Sequence, residues 1–257
     1  MKIVLLGSGN VATHLGQAFK KAGHHILQIW SRNQVNAKKL ANKLGVEVAP
    51  QLSIVNLYAD IYILAVSDDA IREVAEALPI HHQLLVHTSG STDLTILEGV
   101  SSKIGVFYPI QTFSKEKKIN FKKIPIAIEG NSPNTLHILS ELASGLSEKV
   151  IEMNSIQRRT LHIAAIFACN FTNHLYHIAN EILQKQHLNF DLLRPLIAET
   201  AEKVQKKHPV DMQTGPATRG DQTILNKHQE LLKSNPAVLE LYQKLSQSII
   251  HSKNNRE

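Results

Sequence analysis

The run Leu6-Gly7-Ser8-Gly9-Asn10-Val11-Ala12 carries glycine, glycine and alanine at the spacing G-x-G-x-x-A. The chemistry of that pattern is anion binding. The first glycine permits a tight turn, the second lets the backbone approach a pyrophosphate, and the small third residue lets a helix pack close to a strand. Such a loop works only between a strand and a helix, and here it follows the apolar run 2–6 and opens a helical pattern through Leu15. Gly7, Ser8, Gly9, Asn10, Val11 and Ala12 are therefore expected to hold a dinucleotide. The second apolar run ends Gln28-Ile29-Trp30-Ser31-Arg32-Asn33, where NAD-binding members of such folds carry Asp or Glu for the ribose 2′-OH. No carboxylate stands there. The hydroxyl, guanidinium and amide of Ser31, Arg32 and Asn33 suit a 2′-phosphate, so NADP is the expected cofactor.

Two further strand ends, Ala65-Val66-Ser67-Asp68-Asp69 and His87-Thr88-Ser89-Gly90-Ser91, should face the same ligand, because ligands of open α/β sheets lie outside the carboxyl ends of strands. Val66, Ser67, Thr88, Ser89 and Gly90 are the contacts expected from them. Asp68, Ser91 and Asp93 read more readily as helix caps, a role Ser67 also fits.

In the second half, His162, Asn170 and Asn173 fall within about 80° of one another on a helical wheel and form a candidate catalytic face. An imidazole with its ordinary pKa of ~6.5 is the best general acid or base among them. Polar groups on an apolar helix also serve as helix–helix hydrogen-bond partners. The segment Thr214-Gly215-Pro216-Ala217-Thr218-Arg219-Gly220-Asp221 holds the last two of the twelve glycines, which predicts unusual backbone angles there. Arg219 is placed to receive a carboxylate or phosphate. Asp221 is expected to orient it or to cap a helix over 222–233. His174 and His177 stand at i,i+3 but lack a third ligand, so no metal site is expected.

The elements that position these groups follow from composition and pattern. The 257 residues, 43% hydrophobic and 19% charged, suit a folded chain of one large or two modest domains. Short apolar runs at 2–6, 25–30, 46–48, 61–66, 84–87, 104–107, 124–128 and 149–151 alternate with helical stretches. That alternation predicts a doubly wound parallel sheet, an α/β domain over 1–154. Residues 155–257 read as helices alone, with 251–257 expected to fray. Apolar residues surround the whole circumference over 163–169, and a helix of that kind is buried on all sides. A helical domain of this size seldom encloses one, so a homodimer through 155–257 is expected. The net charge of +6 is dispersed, which speaks for small anions rather than nucleic acid. The single cysteine excludes an intrachain disulfide and fits a reducing cytoplasm. No apolar run is long enough for a signal peptide or a membrane span.

The N-terminal fingerprint, the Ser31-Arg32-Asn33 strand end, the stretch from His162 to Asn173 and the segment from Gln213 to Asp221 together resemble a family of Rossmann-like NADP oxidoreductases with a helical C-terminal domain of unknown function. The wider superfamily resembled includes pyrroline-5-carboxylate reductase, 6-phosphogluconate and 3-hydroxyisobutyrate dehydrogenases, and deazaflavin-dependent NADP reductases. Two departures limit what the resemblance implies. The hydroxyacid dehydrogenases use a lysine one turn before an asparagine, and here Ile166 stands before Asn170. Relatives often carry His-Pro where this chain has Tyr108-Pro109, so a proton-transfer role at that position would pass to Tyr108.

The expected activity is hydride transfer between NADP and a small anionic carbonyl, imine or hydroxy compound. The substrate is expected in a cleft between the two domains, near Tyr108, His162, Arg219 and Asp221. The rival is a dinucleotide-binding sensor or assembly protein without chemistry. The pattern leaves open the substrate, the direction and any role of a deazaflavin.

Overall fold

The structure, a computed structural model, describes residues 1–114 and 116–254. Its chain divides into two compact units, Met1–Cys169 and Asn170–Glu257. The division falls beyond residue 154, so the helix carrying His162 groups with the sheet.

The first unit holds eight strands: β1 Lys2–Leu6, β2 His25–Trp30, β3 Glu47–Val48, β4 Ile61–Leu64, β5 Leu84–His87, β6 Lys103–Pro109, β7 Ile126–Gly130 and β8 Val150–Glu152. They form one sheet in the order β3-β2-β1-β4-β5-β6-β7-β8. The first six are parallel, as the alternating pattern predicts. β7 instead runs antiparallel to β6, with Val106 opposite Glu129 and Tyr108 opposite Ala127, and β8 runs parallel to β7. The reason lies in the connections. A parallel return needs a long crossover, usually helical, and residues 110–125 contain only a 3-10 turn among the described positions. Helix α4, Pro133–Leu146, supplies the crossover between β7 and β8.

Helices cover both faces, so the central strands β1, β4 and β5 are buried on both sides. Ile3 and Leu5 point into a core shared with Leu15 and Phe19 of α1 (Asn10–Lys21), Leu40 and Leu44 of α2 (Gln34–Leu44), and Leu139 and Leu142 of α4. Val4 and Leu6 face the other layer, with Ile71 and Val74 of α3 (Ile71–Glu76). The unit closes with α5, Ser155–Ala165, whose N-terminus is held by a capping box between Asn154 and Gln157.

The backbone then adopts π-helix over Ile166–Phe171. A wheel of 100° per residue fails through such a stretch, so the expected common face of His162, Asn170 and Asn173 does not follow from their spacing.

The second unit contains α6 Thr172–Gln184, α7 Arg194–Lys206, α8 Pro216–Arg219, α9 Gln222–Leu232 and α10 Pro236–Asn254. Helix α10 includes the first part of the tail expected to fray, and residues 255–257 lie outside the described residues. Gly215 and Gly220 adopt φ of 114° and 71°, the left-handed side their position predicts, and they bracket α8. Ala217 and Leu225 are the unit's buried hydrophobics among the described residues.

Candidate functional site

A cleft of about 660 Å³ opens at the carboxyl ends of β1, β2, β4, β5 and β6, all within the first unit. It is lined by the fingerprint residues Gly7, Ser8, Gly9, Asn10 and Val11, by Ser31, Arg32 and Asn33, by Val66 and Ser67, and by Thr88, Ser89, Gly90, Tyr108 and His162. Ala12 lies behind the loop, fully buried against the sheet. The sequence reading passed over Trp30, Asn36 and Gln111 and took Asp68 for a helix cap, and all four also line the cleft. Their signal was adjacency to strand ends. A second cavity, about 480 Å³ at the amino ends of the strands, contains His24, Asp60 and Glu141 and none of the fingerprint.

Each fingerprint glycine has a distinct cause. Gly7 has φ of 130°, and a Cβ there would fall 2.1 Å from the carbonyl oxygen of Ala65. Gly9 would meet nothing within 4 Å, because its face is open to the cleft. It is also the N-cap of α1, offers no side-chain acceptor, and is followed by a first turn without an acidic residue. The terminal N–H groups are thus left for an external anion, the feature that fits a pyrophosphate.

At the β2 end, the Ser8 hydroxyl donates to the Ser31 hydroxyl at 2.8 Å, tying the glycine loop to the second strand. The Asn33 side chain caps α2 by accepting from the Asn36 N–H at 3.0 Å. Arg32 is exposed and pairs with Glu73 of α3 at 3.5 Å. That carboxylate was hidden from the sequence reading because it arrives from another element.

At the β5 end, Ser89 is engaged in shaping its loop. Its hydroxyl accepts from the N–H groups of Ser91 (3.1 Å) and Thr92 (2.9 Å). The Thr88 hydroxyl donates to the Leu64 carbonyl. Asp93 caps the following turn, as expected, whereas the Ser91 hydroxyl donates to the Asp68 carboxylate. Beneath the loop, fully buried His87 accepts the Ser89 N–H at Nδ1, and its Nε2 has no partner. Burial, reinforced by the positive charge of Arg158, pushes the His87 imidazole down to about 4.

The cleft's far wall is a polar pair. The Tyr108 hydroxyl and Nδ1 of His162 lie 3.1 Å apart, with Gly90 beside both. Burial pushes the Tyr108 phenol up, and Arg158 acts in the opposite sense.

In the second unit, Asn170 and Asn173 lie in the π-helical stretch and at the start of α6. Arg219 is exposed in α8. Asp221 caps α9, accepting from the Ile224 N–H at 3.2 Å, and makes no ion pair with Arg219. His177 lies 3.5 Å from Glu181, and no cluster of three metal-ligating side chains occurs among the described residues. No helix among them is long and apolar enough to cross a membrane.

Comparison with known proteins bears on this architecture. Residues 2–90 match the family described as NADP oxidoreductase, coenzyme F420-dependent, and residues 124–249 match a domain of unknown function. The crystal structure of a protein described as a putative NADP oxidoreductase from Bacteroides fragilis is 42% identical, with a TM-score of 0.90 over 97% of this chain and 98% of that one. Pyrroline-5-carboxylate reductase from Streptococcus pyogenes shares the fold at 15% identity and TM-score 0.64, covering 98% of each chain. A reductive aminase from Aspergillus terreus does so at 14% identity and TM-score 0.76, covering 98% of this chain and 94% of that one. A search of curated proteins returned no match. The chain belongs to the family of Rossmann-fold NADP-oxidoreductase-like proteins with a helical C-terminal domain.

Proposed function

We propose that the protein is an NADP(H)-dependent oxidoreductase acting on a small carbonyl, imine or hydroxy compound that carries an anionic group. The observation that carries this reading is the pairing of Tyr108 with His162 on the wall of the cleft that begins at the glycine loop. Arg32 follows the end of β2 and Tyr108 lies on β6, four strand spacings away, or about 19 Å at roughly 4.8 Å each. That span suits a dinucleotide laid across the strand ends.

The N–H groups of the glycine loop and of the first turn of α1 would hold the pyrophosphate, and Ser31 and Arg32 the 2′-phosphate. The loop at Thr88, Ser89 and Gly90 would flank the nicotinamide side. NADP(H), when bound, supplies or accepts the hydride. His162 moves the proton: as its Nε2 hydrogen is given to the oxygen or nitrogen of a reduced substrate, the Tyr108 hydroxyl passes its own proton to Nδ1, so the imidazole stays neutral and the phenolate regains a proton from water. In the oxidative direction the same nitrogen takes it back. Arg219, held between two glycines in left-handed conformation, recognises the anionic group. Asn170 and Asn173 are hydrogen-bonding partners for the substrate.

The protein works as a homodimer through its helical half. Ala217 and Leu225 are too little core for a unit of this size, while Phe167, Leu192 and Leu196 are each more than 60% exposed in a single copy. A reducing cytoplasm fits its single, exposed thiol, Cys169.

The test is NADPH oxidation followed spectroscopically across a panel of keto acids, cyclic imines and amine–ketone mixtures. His162→Gln is expected to lower kcat on the order of 10²-fold with little change in NADPH affinity. Arg219→Ala is expected to raise KM for the anionic substrate by roughly 10- to 100-fold, the loss of one charge-assisted contact. Stoichiometric NADPH binding without turnover across the panel would favour a sensor instead.

A further inference from the structure

Arg158 is the largest fully buried side chain among the described residues, at 1% exposure, and it lies one helical turn before His162 on α5. Its guanidinium pairs with the Glu129 carboxylate of β7 and donates to the Thr92 carbonyl and to the Ser155 hydroxyl. Glu129 also accepts from the Ser155 N–H at 2.9 Å and from its hydroxyl, and the Ser155 hydroxyl accepts the Leu94 N–H at 3.0 Å. At the surface, Arg159 pairs with Asp93 at 3.1 Å. The first turn of α5 is therefore stitched to β7 and to residues 92–94, the segment that begins two residues after Gly90.

Stability is a weak reason for this arrangement. A buried ion pair seldom outweighs the desolvation of its two charges, and here the Arg158 Nε is left without a partner. What the network does fix is registry. Residues four apart lie on one helix face, and slippage by one residue would swing His162 by about 100°. Close packing of His162 on Gly90 tolerates no such swing.

We infer that the Glu129–Arg158 pair is a positioning device that holds His162 against Gly90 and Tyr108, an inference that rests on the reading of that couple as the proton donor. The Arg158 charge acts on Tyr108 as well, favouring its ionised form against the burial that opposes it.

The experiment uses the full chain saturated with NADPH and compares wild type with the double variant Glu129→Met/Arg158→Met, which removes both charges and keeps apolar volume in their place. Imidazole ¹⁵N spectra, with the His162 signal assigned by His162→Gln, are expected to show one tautomer in wild type and averaged tautomers in the double variant. With a turned-over substrate, kcat is expected to fall at least about tenfold while KM for NADPH moves less than about twofold. Arg158→Lys should restore part of kcat. A folded double variant that keeps the single tautomer and the wild-type kcat overturns the inference. Should the double variant fail to fold, Ser155→Ala removes the hydroxyl from the network and leaves the charges paired. Partial averaging of the His162 tautomer then supports the inference, and an unchanged spectrum overturns it. If wild type turns over nothing, the spectra still decide positioning, and the oxidoreductase reading alone fails.

Discussion

The imidazole of His162 occupies the space that a side chain on Gly90 would need: a Cβ there would fall 2.6 Å from Nδ1, and 2.7 Å from Cζ of Tyr108. The backbone at Gly90 has no left-handed φ, so contact alone demands glycine. Gly90→Ala is expected to push both rings off their positions and to lower kcat on the order of 10- to 100-fold, the cost of misplacing a reacting group by about 1 Å. NADPH affinity, measured by fluorescence titration, should stay within about threefold. An alanine variant with full activity would show that His162 does not touch the reacting atoms.

Nucleotide choice should follow Arg32. Replacement by alanine is expected to weaken NADPH binding by about tenfold or more, ~1.4 kcal/mol, and to leave NADH nearly unchanged. Glu73 competes for the same guanidinium. Glu73→Gln should therefore tighten NADPH binding by about 1.4- to fivefold at low salt, the range expected of an exposed pair worth about 0.2–1 kcal/mol. Equal responses of NADPH and NADH to either change would remove Arg32 from the 2′-phosphate site.

Acid stability should carry the mark of His87. Its folded value, about 4, lies below the unfolded 6.5, so the unfolded chain takes up the proton first as the pH falls. Stability from this group is complete above about pH 6.5, declines between 6.5 and 4, and is gone below, for a total of at most roughly 3 kcal/mol. Urea unfolding at pH 7 and pH 4.5 should show a smaller loss for His87→Gln than for wild type. Identical slopes would mean that His87 is protonated within the fold.

Light scattering should report about twice the 28.6 kDa chain mass. Phe167→Glu or Leu196→Glu, each placing a charge on an exposed apolar position, is expected to yield monomers or to destabilise the helical half. A monodisperse wild-type monomer at micromolar concentration would contradict the dimer.

The parts of the site that were legible in sequence are the local ones. The glycine loop, its strand and its helix lie within the first 21 residues, and each position has its own steric reason. The positive φ of Gly215 and Gly220 was readable for the same cause. The direction of β7 was not, since an apolar run looks the same from either end of a strand. Contacts between distant elements stayed hidden too: Tyr108 and His162 are 54 positions apart. Arg158, met in a helix start beside Arg159, reads as a solvated charge until β7 brings Glu129 to it. The apolar run over 163–169 suits α- and π-helix alike, so its change of winding left no trace in the pattern.

The reversal of the last two strands has a consequence for the height at which chemistry can occur. Because β7 runs against β6, Glu129 lies opposite Val106, which is level with His87 at the carboxyl end of β5, and the chain leaves β8 at about that same level. Helix α5 starts from there, and the seven steps from Ser155 to His162 span about 10.5 Å along its axis at 1.5 Å each. The helix is thus a ruler with its zero mark at the Glu129 carboxylate. Removing one turn from it would keep His162 on the same face yet leave it about 5.4 Å short of Gly90.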